Sequence, residues 1–368
     1  MILKYNIKTS YYLLLILFLS SQPFRGQNDD SADKHSLRSD LQMIKGKGIL
    51  FGHQDDLAYG VGWEYIRGES DVKRVSGDYP ALFGWELGGI ERGDQVNLDK
   101  VPFDTMRDLT IMGDQMGGIN TFSWHPYAAT KGESSWDKEA IVVEHIIPGG
   151  SHHEAFKQHL DKVASFFNQL KDKNGQDIPF IFRPWHEMDG SWFWWGDASC
   201  TKEEFKTLFE FTIQYLKEEK GLDQMLVAYS PDRNFDSEND YLQWYPGDKY
   251  VDILGVDNYG DLKQESDVEQ AIKKLHIVIE LANKKEKIAA FTETGIENVT
   301  DEKWYTQRLG KVLADPIIAK EISYVMVWRN DGNVHYFFPY PGQKGEADAK
   351  ELLSDPHILL LEDFNSLQ

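Results

Sequence analysis

The chain has 368 residues, a formal net charge of -21, and 13% aromatic residues with Trp 11, Tyr 17 and Phe 20. Such an excess of acids argues against nucleic acid and anionic membrane surfaces as partners and fits a neutral ligand, onto which aromatic rings can stack. The single cysteine, Cys200, excludes an internal disulfide.

The N-terminus pairs Lys4 and Lys8 with an apolar stretch from Tyr11 to Leu19 and a small, polar segment through Gly26. Residues 1–26 therefore have the form of a secretory signal peptide, because the apolar stretch is well short of the about 20 residues that cross a bilayer. Its removal takes Lys4, Lys8 and Arg25 and no acid, moving the formal charge from -21 to -24. With Cys200 far from any cleavage site, the expectation is an exported protein, periplasmic or secreted, that is not a lipoprotein. Residues 27–46 read as a lead-in and 47–368 as a single catalytic domain.

Eight apolar, β-branched runs follow: Ile49 to His53, Ala81 to Glu86, Gly118 to Trp124, Phe180 to Pro184, Met225 to Tyr229, Val251 to Val256, Ile288 to Thr292 and Ser323 to Trp328. Amphipathic segments alternate with them, at Phe103 to Gln115, His153 to Lys171, Lys202 to Lys217, Asp267 to Lys285 and Asp301 to Leu313. Thr201 and Glu204 have capping-box spacing, and Ser266 or Asp267 is placed to cap the later helix. Strand and helix in alternation predict parallel βαβ units, and eight units favour an α/β fold closed as a (β/α)8 TIM barrel. An open doubly wound sheet would call for a Gly-rich phosphate turn after the first strand; Gly60-Val61-Gly62 lacks that spacing.

Two glutamates end apolar runs, Glu187 after the fourth and Glu293 after the seventh. Carboxyls beyond the C-terminal ends of barrel strands face the mouth where barrels put their chemistry, and a facing pair can divide acid and nucleophile work in glycosidic cleavage. Acids after strands four and seven resemble the retaining glycosidases of clan A, and His186 in front of Glu187 narrows the resemblance to glycoside hydrolase family 26, the β-mannanase family. The supporting motifs are Gly52-His53-Gln54, Trp124-His125-Pro126, Arg183-Pro-Trp-His-Glu187-Met, Asp257-Asn-Tyr259, Glu293-Thr-Gly295 and Trp328-Arg329.

The resemblance implies double displacement, with Glu293 as nucleophile and Glu187 as acid/base. It further implies that Tyr259 donates to Glu293 and that His186 approaches both Glu293 and the reacting sugar. Trp328 would form the floor under that sugar and Trp192 a platform on the leaving-group side, with His125, Asp257 and Arg329 also in contact with substrate. Arg183 is expected behind the nucleophile, neutralising it. Substrates implied are β-mannan polysaccharides or manno-oligosaccharides, acted on by a monomer with no cofactor and no catalytic metal. Alternatives are an exo-leaning enzyme that releases mannobiose, a mixed-linkage β-glucanase, and a non-catalytic glycan-binding barrel. The long stretches Tyr127 to Gly150 and Asn330 to Ala347 keep the exo reading open, since long loops can wall off a cleft. His145, His152, His153 and His159 lack the His-Glu-x-x-His pattern of a zinc site, and Asp55, Asp56 and Asp94 read as solvated acids. Among Trp192, Phe193, Trp194 and Trp195, one or two rings are expected to face sugar and the rest to pack the loop.

Overall fold

A computed structural model describes residues 36–130, 134–138, 141–332 and 335–368. The expected leader, 1–26, lies outside the described residues, as does the lead-in up to residue 35. Eight strands pair in chain order, all parallel: β1 Ile49–Gln54, β2 Leu82–Glu86, β3 Ile119–Trp124, β4 Phe180–Pro184, β5 Met225–Tyr229, β6 Ile253–Leu254, β7 Ile288–Thr294 and β8 Ile322–Val327. β8 also pairs with β1, through Leu50 opposite Tyr324 and His53 opposite Val327, so the sheet closes into a barrel. The strands are long apolar runs because both of their faces are covered. Leu50, Leu82, Ile181, Ala228, Ala290, Tyr324 and Met326 plug the inside, whereas Phe51, Phe83, Phe122, Phe182 and Phe291 face the surrounding helices.

The base of the barrel is sealed by two elements with no counterpart among the eight expected units. Helix Leu37–Ile44 buries Leu37, Leu41 and Ile44 against the inner plug. A ninth strand, β9 (Ile358–Leu359), pairs with Ile49 and Leu50, while β2 takes up β1 only from Gly52 onward. A two-residue strand carries no periodic signal, so only the closed sheet reveals it.

The capping box at Thr201 and Glu204 is formed on helix Lys202–Gln214. Helix Val268–Lys284 differs from expectation: Asp267 stands at its N-cap without a side-chain cap bond. A 3-10 turn, Glu265–Asp267, leads into that helix instead, and Ser266 Oγ donates to Asp267. The segment expected as one helix from Asp301 to Leu313 is a π-turn, Tyr305–Leu309, running into a short α-turn, Gly310–Leu313. β6 is shorter than the apolar run that predicts it, although the Asp252 backbone still bonds to both neighbours, Asp252 N donating to Val227 O (2.8 Å) and Ile288 N to Asp252 O (3.2 Å).

Candidate active site

β7 carries Glu293 at the barrel mouth. Its register against β8 shifts between Ile322 and Val325 and again between Val325 and Val327, an irregularity of the kind that re-aims a side chain. Glu293 Oε1 accepts a hydrogen bond from Tyr259 Oη at 2.6 Å, and Oε2 accepts from Arg183 Nη2. Arg183 comes from β4 and is only 1% exposed. Its other terminal nitrogen donates to Asp257 Oδ2 at 2.5 Å, and Ser230 Oγ donates to the same oxygen at 3.1 Å. One buried guanidinium thus bridges two carboxylates, a geometry in which charge-assisted bonds are strong and loss of the cation is severe. Burial opposes the charge on Arg183, but Asp257 and Glu293 outweigh it and raise its pKa.

Glu187 lies past the end of β4 and meets a different environment. Burial pushes its carboxyl well above the ordinary range, with further upward pressure from the negative charges of Glu293, Asp257 and Asp232. A single hydrogen bond, from Trp192 Nε1 at 2.7 Å, works the other way. The turn at Gly190 makes that contact possible, since a Cβ there would come within 2.4 Å of the Trp192 ring. Trp185 and Glu187 both have φ of 54°, left-handed conformations that non-glycine residues seldom adopt. This alternation buries Trp185 among Trp124, Trp194 and Trp195 while sending Glu187 out toward the cleft.

Two histidines form the adjoining wall. His125 Nε2 and His186 Nε2 are 3.0 Å apart, and His125 Nδ1 is 2.8 Å from Glu86 Oε2. Glu86 is fully buried and also accepts from His125 N (2.7 Å), Gly88 N (2.6 Å) and Ser123 Oγ (2.6 Å). Burial alone would raise its pKa; the His125 charge and these donors reverse that and hold it at about 2. Burial likewise opposes protonation of His125, yet Glu86 prevails and the net shift is upward. His186 moves the other way, lowered by burial and by the positive charges of Arg183 and His125. A His125 that carries both protons donates Nε2–H to a neutral His186, whose proton then sits on the buried Nδ1.

Trp328 follows β8 and is half-buried, its ring edge-on to His125 at 6.2 Å. Of the four consecutive aromatics after Glu187, Phe193, Trp194 and Trp195 are buried; Trp192 alone opens toward the cleft. Trp136, 49% exposed, stacks parallel to His125 with ring centroids 5.4 Å apart. Arg329 Nε pairs with Asp99 at 2.9 Å, and Nη1 reaches Tyr59 Oη at 3.2 Å and Asp331 at 3.3 Å. Those three partners line a cavity of 600 Å³ together with Trp63, Tyr65 and Lys100.

The structure therefore brings Glu187, Glu293, Arg183, Tyr259, His125, His186, Trp192 and Trp328 to one mouth, with Arg329 at its edge. Three expectations change. Asp257, expected against substrate, is fully buried and occupied by Arg183 and Ser230. His186, expected near Glu293, is hydrogen-bonded to His125. Asp55 and Asp56, expected to be solvated, are buried, with Asp55 bonded to Tyr59 (2.7 Å) and Asp56 to His53 (2.8 Å). Sequence reading missed Glu86, Trp136 and Asp99. Glu86 had a signal, as the terminal residue of the second apolar run; Trp136 and Asp99 sit in loops whose paths no local pattern encodes. Among the described residues no group of three or more His, Cys, Asp or Glu is placed to hold a metal ion.

The family model for glycosyl hydrolase family 26 matches residues 27–308. The chain belongs to that family. The family 26 fold is also seen in a β-mannanase structure from Bacteroides ovatus, 42% identical, with a TM-score of 0.84 over 89% of this chain and 94% of that one. An endo-β-1,4-mannanase structure from Cellulomonas fimi is 34% identical, with a TM-score of 0.82 over 89% of this chain and 75% of that one. Curated relatives include a mannan endo-1,4-β-mannosidase from Bifidobacterium adolescentis, 33% identical over 83% of this chain, and one from Bacillus subtilis, 30% identical over 60% of it. The chain spans about a third of the length of the first of these and 60% of the second.

Proposed function

We propose that this family 26 protein is a retaining β-1,4-mannanase acting on mannan, galactomannan or glucomannan. The observation that carries the reading is the opposite treatment of two carboxyls at one barrel mouth. Glu293 is held by a guanidinium and a phenol, as a nucleophile must be, whereas Glu187 is pushed toward its protonated form, as a general acid must be. In the first step Glu293 attacks the anomeric carbon, the glycosidic bond breaks, and Glu187 gives its proton to the departing oxygen. In the second, Glu187 takes a proton from water as that water displaces Glu293 from the sugar. Trp328 underlies the reacting sugar and Trp192 flanks the leaving group, while His125 and His186, bonded to Glu86 and to each other, back the wall beside them.

Supporting the substrate class are the mannan endo-1,4-β-mannosidase names of the relatives and the β-mannanase structures. Hydrolysis of a panel of mannan, galactomannan, glucomannan and mixed-linkage glucan, with product sizing, tests it; preference for the mixed-linkage glucan would overturn it. A second reading, release of mannobiose from chain ends, is favoured by the cavity beside Arg329, which residues of the loops after β1, β2 and β8 line. Early accumulation of many chain lengths from long mannan would sink it. Export to a periplasm or out of the cell is inferred from the form of residues 1–26, with the catalytic domain at 47–368.

A further inference from the structure

We propose that Asp189 is a positioning residue for Glu187, pinning the loop after β4 to the loop after β5 so that the acid/base carboxyl faces the scissile bond. The inference rests on the reading of Glu187 as acid/base. Glu187 emerges in a left-handed conformation two positions after another such residue, and each is costly unless its surroundings impose it. The surroundings are found in four hydrogen bonds across to the next loop. Glu187 N donates to Ser230 O at 2.9 Å. The other three converge on Asp189: Asp232 N donates to Oδ1 at 2.7 Å, Asn234 N to Oδ2 at 3.1 Å, and Asn234 Nδ2 to the Asp189 carbonyl at 3.2 Å.

Neither carboxyl oxygen of Asp189 is engaged at the cleft. The side chain lines a separate cavity of 240 Å³ with Tyr229, Pro231, Phe235 and Trp244, so its effect on the reaction passes through Glu187. Burial and the neighbouring Asp232 push the Asp189 carboxyl to about 8. Each carboxyl oxygen accepts one backbone N–H, so asparagine keeps one acceptor and turns its amide nitrogen toward the other donor. Alanine leaves two backbone donors without their acceptor and frees the loop to relax from the left-handed turn.

The test compares Asp189→Ala and Asp189→Asn with Glu187→Ala on two mannobiosides, one with a dinitrophenyl leaving group that departs without a proton and one with an unactivated sugar leaving group. Asp189→Ala is expected to lose about 10²-fold in kcat/KM on the unactivated substrate, the scale of an ångström of misplacement, and about threefold or less on the activated one, which needs no general acid. Asp189→Asn, which keeps one of the two acceptors, should recover part of the loss. Equal losses on both substrates, or no loss on either, would overturn the proposal. If the alanine variant does not fold, Asp189→Ser takes its place under the same criterion. Glu187→Ala separates the two levels: a leaving-group dependence there without one at Asp189 rejects the positioning role alone, and none at Glu187 rejects the acid/base reading beneath it.

Discussion

The two carboxyls reach the barrel mouth by opposite means. Glu293 belongs to a strand, and its neighbours, Arg183 on β4 and Tyr259 just past β6, supply the charge and the hydrogen bond that fit an anion. Glu187 stands beyond its strand on a strained turn, has one indole donor, and faces three negative charges. A rigid strand suits a group that must stay ionised and in line with one carbon. A turn held by the next loop suits a group that receives and returns a proton, because protonation there depends on enclosure and nearby charge more than on any single partner.

Removing each side of this contrast gives effects of decreasing size. Glu293→Ala should lower kcat on mannan on the order of 10⁴-fold or more, since a nucleophile has no substitute, while affinity-gel retardation on mannan persists. Arg183→Met leaves Glu293 and Asp257 facing one another without a cation and should cost about 3–5 kcal/mol of stability, read as a lowered denaturation midpoint. Tyr259→Phe removes one bond to a charged group, worth about 1.5–3 kcal/mol, and should slow kcat/KM by about 10- to 100-fold without a comparable loss of stability. The subtlest effect is on proton affinity. Activity requires a protonated Glu187, so kcat/KM should fall as pH rises through its raised pKa. Glu293→Gln, by removing the largest charge contribution after burial, should lower that pKa in a carbon-13 NMR titration of the Glu187 carboxyl. An unchanged titration would mean that the two carboxyls do not sense each other.

Much of this was legible in residue order. Seven of the eight apolar runs become strands within a residue or two, because parallel strands buried on both faces must be continuously apolar and the helices between them amphipathic. The remaining one, at Val251 to Val256, is regular only over Ile253–Leu254, although Asp252 ahead of it still bonds to both neighbouring strands. Glu187 and Glu293 were legible for the same reason, as polar residues that terminate buried runs. What escaped depends on contacts distant in sequence: β9 reaching β1 from the far end of the chain, Trp136 folding back onto His125, and Asp257 turning inward to meet Arg183. Glu86 shows the boundary well. It ends an apolar run just as the catalytic pair do, yet its partners in the next strand and loop make it a buried support for His125.

The division of roles between Glu187 and Glu293 is tested most directly by trapping the covalent intermediate. A 2-deoxy-2-fluoro mannobiosyl fluoride slows the second displacement, and peptide mass spectrometry of the inactivated enzyme locates the attached sugar. The expected result is a single labelled peptide modified at Glu293. A label on Glu187, or turnover without labelling that releases product of inverted anomeric configuration, would contradict the assignment.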